Sequence, residues 1–417
     1  MPQRSRYARW VYLGALMLAG ESIYMLPYMR KTFQTSMEET FAVTGAELGT
    51  VNGMFGILAL ACYFPGGWLA DRFPARHLLT ISLVSTGLGG SYMMTFPGYV
   101  GLLALHAFWG VTSILTFWGA LIKATREWGD AHEQGLGFGA LDGGRGVVAA
   151  LLATLATYGF TLGATAEAKL QAVLWVYSLA PMVAGLLVWL VVPNRLGVER
   201  AQHRGGHGSG GELPRPAAAR LKSALRRPEV WLLAVVIFAS YWLYVGSFAF
   251  PAFAERAHGE DESFGAVLGT FRDWFRPVSA VGAGLLADRF RSSRVIAAAF
   301  VLLGMTFASL WLVPPAAGGI GLLWVQVGVV AVAVFALRGI YYALMEESGI
   351  PRTLTGTTVG IVSVVGFMPD TFAFVVSARF AEGAPGGAGY PAYFGLLSGV
   401  AVMGLMATGA IAVRRRS

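Results

Sequence analysis

Apolar runs of about twenty residues recur along the whole chain, each long enough to cross a hydrocarbon layer of about 30 Å as a helix. They lie near 9–30, 47–70, 78–96, 99–123, 138–160 and 171–192, and again near 229–253, 263–287, 295–313, 319–343, 355–378 and 391–412. Inside a bilayer each backbone N–H and C=O must be satisfied within the protein, so runs of this length are expected to be helices. The expected fold is an all-α membrane protein with twelve transmembrane helices. Composition agrees: 55% of residues are hydrophobic and only 13% charged, about half the charge of a soluble domain. The 55 glycines suit helices that pack closely on one another.

A polar stretch from Arg195 to Arg227 separates the two sets of runs and carries His203, His207, several arginines and a cluster of glycines. It reads as a flexible linker whose histidines lack metal-ligand spacing. The chain thus divides into an N-terminal bundle (1–194), a linker (195–227) and a C-terminal bundle (228–417). With the N-terminus inside, about 22 of the 31 basic residues fall on the cytoplasmic side, and Arg30, Lys31, Lys169, Arg256 and Arg379 fall outside. Both termini are therefore expected in the cytoplasm. The net charge of +8 is this topology signal rather than a nucleic-acid surface, because the basic residues sit at the ends of apolar runs. The first run follows three arginines as a signal peptide would, but it is too long for an h-region and contains Glu21.

The two sets are copies. Gly67-Trp68-Leu69-Ala70-Asp71-Arg72-Phe73 after the second run recurs as Gly284-Leu285-Leu286-Ala287-Asp288-Arg289-Phe290 after the eighth. The shift of 217 residues that carries Asp71 onto Asp288 also carries Gly139 onto Gly356. A parallel repeat of six spans places a substrate site at the midplane between the halves, with rocking of one half on the other giving alternating access.

At Gly67, Leu69, Ala70, Asp71, Arg72 and Arg76 the chain resembles the G-x-L-a-D-r-x-G-r-r signature of the major facilitator superfamily, with Pro74 and Ala75 replacing the second glycine and the first following arginine. With the degenerate copy from Gly284 to Arg294, the resemblance spans the chain. It implies two pseudo-symmetric six-helix bundles around a cavity lined by spans one, four, seven and ten, with five, eight and eleven. It also implies gating roles: Asp71 meeting a neighbouring helix end to stabilise the outward-open state, and Arg72 and Arg76 remaining cytoplasmic. Arg338 to Tyr342, Gly356 to Thr358 and Pro369-Asp370 further resemble bacterial sugar-phosphate-permease-like members. The chain is accordingly expected to be a monomer in a bacterial inner membrane, with a small-molecule substrate, protons and the bilayer as partners.

A charge near the bilayer centre costs at least about 2.5–3.5 kcal/mol on insertion scales, so such residues need a partner, an aqueous cavity or a function. Eight qualify: Glu21, Asp142, Arg145, Arg272, Asp273, Arg276, Arg338 and Asp370. Four acids against four bases allow simple mutual neutralisation. Arg272 and Arg276, four apart, project from one helical face and repel each other; an anion between their guanidinium forks would resolve the conflict. Arg338, with Tyr341 and Tyr342 one turn on, is a third basic contact or the counter-charge of Asp370. Glu21 forms a stripe with Tyr24 and Tyr28 that is either a packing surface or, as the preferred reading, a proton-coupling carboxylate with phenols at the substrate. Asp370 after Pro369 is the second proton candidate. Asp142 and Arg145, three apart among glycines, suit a structural or gating pair.

Phosphate-cradling loops, zinc clusters and nucleophile elbows do not appear in the sequence, so neither catalysis nor a cofactor is expected. Three functions stay open: proton-coupled transport of a small organic anion, a multidrug or lipid-like exporter, and a transporter-like ligand sensor. The clustered arginines favour the first.

Overall fold

The structure is a computed structural model and describes residues 6–128, 134–194, 217–351 and 354–414. Residues 195–216, most of the expected linker, lie outside the described residues. Among the described residues, twelve helical spans follow in order. α1 runs over Arg6–Met25 and resumes as Arg30–Phe41; α2 is Gly45–Arg72, α3 Ala75–Met93, α4 Tyr99–Arg126, α5 Gln134–Leu162 and α6 Ala166–Val191. α7 is Pro228–His258, α8 Glu262–Phe290, α9 Ser292–Leu312 and α10 Pro315–Ile340. α11 is split into Thr355–Gly366 and Ala373–Glu382, and α12 is Tyr390–Arg414.

Local chemistry sets the boundaries. Thr44 opens α2 with a capping box to Glu47, and Thr165 and Asp261 cap α6 and α8, each satisfying donors that a helix start leaves free. Pro27 breaks α1: its ring and missing N–H end the first segment at Met25. The freed Pro27 carbonyl accepts from the Asn52 amide at 2.8 Å. Pro369 breaks α11 likewise, leaving a 3₁₀ turn over Met368–Thr371. The first span, expected to stop near residue 30, therefore continues as a second segment whose Arg30 and Lys31 are buried rather than interfacial.

Among the described residues, nine helices are long and apolar enough to cross a membrane. The other three are α1, α3 and α8: α1 carries Glu21, α8 the Arg272, Asp273, Arg276 cluster, and α3 Arg76, His77 and a run of serines and glycines. Leu151, Leu155, Tyr158 and Leu162 form an exposed apolar stripe along α5, the face a lipid-bathed helix presents. Each half builds its own core; in the second, Phe250, Phe307 and Phe394 stack at ring separations of 5.7–6.4 Å.

The start of α1 and the end of α12 share one end of the bundle, here the terminal end. Trp128, just past α4, donates to the Arg9 carbonyl at 2.7 Å, and Arg414 approaches Glu229 at the start of α7 at 3.4 Å. The halves meet where α5 packs on α8 and α2 on α11. On α2, Gly49, Gly53 and Gly56 face α11 so closely that a Cβ on Gly56 would sit 2.6 Å from the Asp370 carbonyl oxygen. That closeness is possible only without side chains.

Candidate functional site

Polar side chains from several spans of both halves converge on a cavity between them. Its inner chamber, about 150 Å³, is lined from α1 by Glu21, Tyr24, Tyr28 and Lys31, and across from them by Arg145, Tyr241, Tyr244, Arg276, Arg338 and Asp370. A second chamber of about 530 Å³ shares Trp118, Arg145, Arg276 and Arg338 and widens toward the terminal end past Asp142, Tyr341 and Met345. Along α4 the wall is a π-helical stretch, Thr112–Trp118, a local widening that turns Ile114 and Trp118 into the chamber.

The charges sort into three groups. Glu21 is held between two guanidiniums, Arg276 at 2.8 Å and Arg145 at 3.3 Å. Asp142, half exposed, approaches the same two arginines more loosely, at 3.8 and 3.9 Å. Arg145 thus belongs chiefly to the central cluster rather than to a local pair with Asp142. Arg272 and Asp273 form the second group: Arg272 donates to Asp273 at 3.0 Å and lies 4.4 Å over the Phe248 ring, while the Lys31 ammonium reaches the other Asp273 oxygen at 2.5 Å. Arg272 does not line either chamber. The anion clamp expected of Arg272 and Arg276 is therefore not formed. The two arginines pair with different acids, because Asp273 turns back onto Arg272 and Glu21 reaches Arg276 from the other half.

The third group is unpaired. Arg338 lines both chambers and, among the described residues, forms no ion pair or hydrogen bond; its guanidinium lies over Tyr244 at 4.0 Å and Tyr241 at 5.4 Å, and Nη1 is buried without a partner. Among the described residues, Asp370 has no cation within ion-pair distance. Its Oδ2 accepts from the Tyr28 hydroxyl at 2.8 Å and the Tyr241 hydroxyl at 2.7 Å, and its Oδ1 is buried and unpartnered. Tyr341 stacks edge-on against Tyr342 beside the wider chamber.

The cavity is shut at the end away from the termini. There Lys31 meets Asp273, Ser36 meets Glu262 at 2.8 Å, Lys169 reaches Glu262 at 3.4 Å, and the Ala46 N–H donates to Glu382 at 2.8 Å. Thr35 and Glu38 add contacts to Glu255 and Arg256. Among the described residues, no side-chain bond joins the halves on the terminal side of the Arg276–Asp142 approach.

The signature residues lie at the terminal end. Arg72 and Arg76 lie over Trp68 (3.8 Å) and Trp189 (4.3 Å), and Gly67 meets no neighbouring atom where a Cβ would stand. The Lys123 ammonium donates to the Ala70 and Phe73 carbonyls, closing the end of α2. Asp71 is in the last turn of α2, and its side chain lies outside the described residues. In the second copy, Gly284 and Asp288 lie in the last turns of α8, and Arg289 lies 5.5 Å over Phe290.

Lys31, Tyr241 and Tyr244 are site residues that the sequence reading passes over. Lys31 extends the Glu21, Tyr24, Tyr28 stripe by one more turn. Tyr241 is the residue reached from Tyr24 by the same 217-residue shift that relates the signature copies.

The sequence profile of the Major Facilitator Superfamily matches residues 11–373. The chain belongs to this superfamily. Its relatives include the inner membrane protein YqcE of Escherichia coli (strain K12), 28% identical over 413 residues, which cover 97% of this chain and 94% of YqcE. A shorter match, 28% over 119 residues, is to the D-galactonate transporter of Escherichia coli O6:H1 (strain CFT073), covering 28% of this chain and 27% of that one. Among solved structures, a bacterial homolog of the human lysosomal transporter Spinster, inward-facing and unoccupied, superposes with a TM-score of 0.75 at 15% identity, covering 99% and 98% of the two chains. The nucleoside transporter NupG superposes at 0.71 with 13% identity, covering 96% and 98%. The fold is a major facilitator transporter fold.

Proposed function

We propose that this chain is a secondary active transporter working by alternating access, which carries a small organic anion at Arg338 and couples it to protons through Asp370. Arg338 carries the reading. A guanidinium inside a membrane protein without an ion-pair partner in contact is costly, and a bound carboxylate, sugar acid or phosphate ester supplies both the charge and the paired acceptors that its planar fork fits. Tyr24, Tyr28, Tyr241 and Tyr341 offer hydroxyls to the rest of such a ligand, and the partial likeness to a D-galactonate transporter makes D-galactonate a rational first probe.

Glu21 is the less suitable proton carrier. Two arginines already balance its charge, so a proton arriving there would unpair both. Asp370 is the acid of the inner chamber with no cation in contact, Arg338 acting on it only at longer range, and a proton is its means of neutralisation. The signature residues Gly67, Asp71, Arg72, Arg76, Gly284, Asp288 and Arg289 are assigned to gating at the terminal end, with both termini cytoplasmic and the protein monomeric. A hydrophobic exporter fits less well, since the inner chamber is lined mainly by charged and phenolic groups.

Proteoliposomes under an imposed pH gradient test the proposal, loaded in turn with D-galactonate, glycerol 3-phosphate, neutral galactose and a lipophilic cation. Accumulation of an anion that requires the proton gradient supports it. Movement of the lipophilic cation alone assigns the exporter function instead, and binding without movement assigns a sensor.

A further inference from the structure

We propose that Tyr28 is a positioning residue that makes closure of the far gate depend on the proton held by Asp370. Tyr28 sits in the break between the two segments of α1, beside Pro27. Its ring is packed among Phe55, Phe248 and Phe374 at 5.3–6.3 Å, and its hydroxyl has Asp370 as its hydrogen-bond partner, in the other half of the molecule. Tyr241 donates to the same oxygen but belongs to the same half as Asp370. Of the two tyrosine bonds, only the one from Tyr28 ties the halves together.

The segment that follows is the gate. From Arg30–Phe41, Lys31, Thr35 and Glu38 recur at helical spacing on one face, with Ser36 beside them. They bind Asp273, Glu255, Arg256 and Glu262 of α7 and α8. Phe33 and Phe41 pack this segment onto its own half, against Phe160 and Phe96; across to the other half it is held by that polar face and by the Tyr28 bond at its root.

The groups facing Asp370 are Tyr28 of α1 and Tyr241 of α7 by hydrogen bond. At longer range they are Tyr24 of α1, Tyr63 of α2 and Arg338 of α10. An ionised carboxylate holds two phenol donors with charge-assisted bonds, roughly twice as strong as neutral ones; the protonated acid is a weaker acceptor and becomes a donor itself. A proton on Asp370 therefore loosens the Tyr28 tie and releases the gate segment. This inference rests on the reading of Asp370 as the proton carrier.

Spin labels at Thr95 and Val313, exposed positions at the far ends of α3 and α9, report gate opening by double electron–electron resonance without any substrate. The single native cysteine, Cys62, is first replaced by serine. In the otherwise native protein the open-to-closed ratio is expected to rise roughly tenfold between pH 8 and pH 5, the effect of losing one charge-assisted bond. Tyr28→Phe is expected to raise the ratio at all pH values and flatten its pH dependence, Asp370→Asn to flatten it likewise, and Tyr241→Phe, which removes a donor to Asp370 but no tie between the halves, to keep a pH-dependent ratio with its midpoint shifted. A Tyr28→Phe protein that keeps the native pH response overturns the proposal. So does a native ratio that is flat with pH; if proton-driven uptake persists in that case, the transport function stands and only the coupling through Tyr28 falls.

Discussion

The Arg276 guanidinium donates to Glu21 at 2.8 Å across the midplane, joining the two halves at the floor of the inner chamber. Arg145 completes the cluster from α5. Both Glu21 and Arg276 are largely shielded from solvent, so the pair is a structural tie between halves as well as a wall of the cavity.

Removing one partner of such a pair strands the other charges. Glu21→Gln is expected to destabilise the protein by about 3 kcal/mol, since two arginines lose their counter-ion. Arg276→Gln added to it should recover part of the loss. Thermal unfolding in detergent checks this; a Glu21→Gln protein as stable as the native one contradicts it.

Arg272 and Arg338 should behave in opposite ways. Arg272→Lys keeps a charge beside Asp273 but loses the stacking over Phe248 and the bond to Ser247, so the midpoint of unfolding should fall while anion affinity in the surviving protein is unchanged. Arg338→Lys removes a fork that no protein group uses, so affinity should fall with stability retained. The reverse pattern would place the anion at Arg272.

Part of this arrangement was legible in the sequence. The spans, the duplicated signature and the buried charges follow from hydropathy and spacing, because the bilayer penalises polar groups wherever they occur. Which charge pairs with which was not legible. Glu21 and Arg276 are 255 residues apart, as are partners brought together only by the packing of one bundle on the other, and the break at Pro27 placed Lys31 inside the protein although its position at the end of an apolar run suggested an interfacial lysine. The exception is Tyr241, which the repeat offset from Tyr24 points to directly.

The glycine face of α2 is expected to be needed for closure at the far end. Gly56→Ala places a methyl group within 2.6 Å of the Asp370 carbonyl oxygen, a backbone atom that cannot step aside. Transport should fall about tenfold or more, with the Thr95–Val313 distance shifted to the open population. Unchanged transport would show that α2 and α11 need not approach this closely.

Asp370→Asn keeps size and hydrogen-bonding groups but cannot exchange a proton. It is expected to bind anion and to catalyse exchange of labelled for unlabelled anion, while losing accumulation driven by a pH gradient. If accumulation and its pH dependence survive, the proton is carried elsewhere, with Glu21 the next candidate.

The most direct test of the central claim is equilibrium binding of radiolabelled D-galactonate and glycerol 3-phosphate to the purified protein and to Arg338→Gln, with unfolding temperature measured on the same samples. The account predicts that the native protein binds at least one of these anions, that Arg338→Gln weakens binding about tenfold to a hundredfold, the loss of one or two charge-assisted hydrogen bonds, and that its unfolding temperature does not fall. Undiminished anion binding by Arg338→Gln, or a loss of binding that tracks a loss of stability, would contradict it.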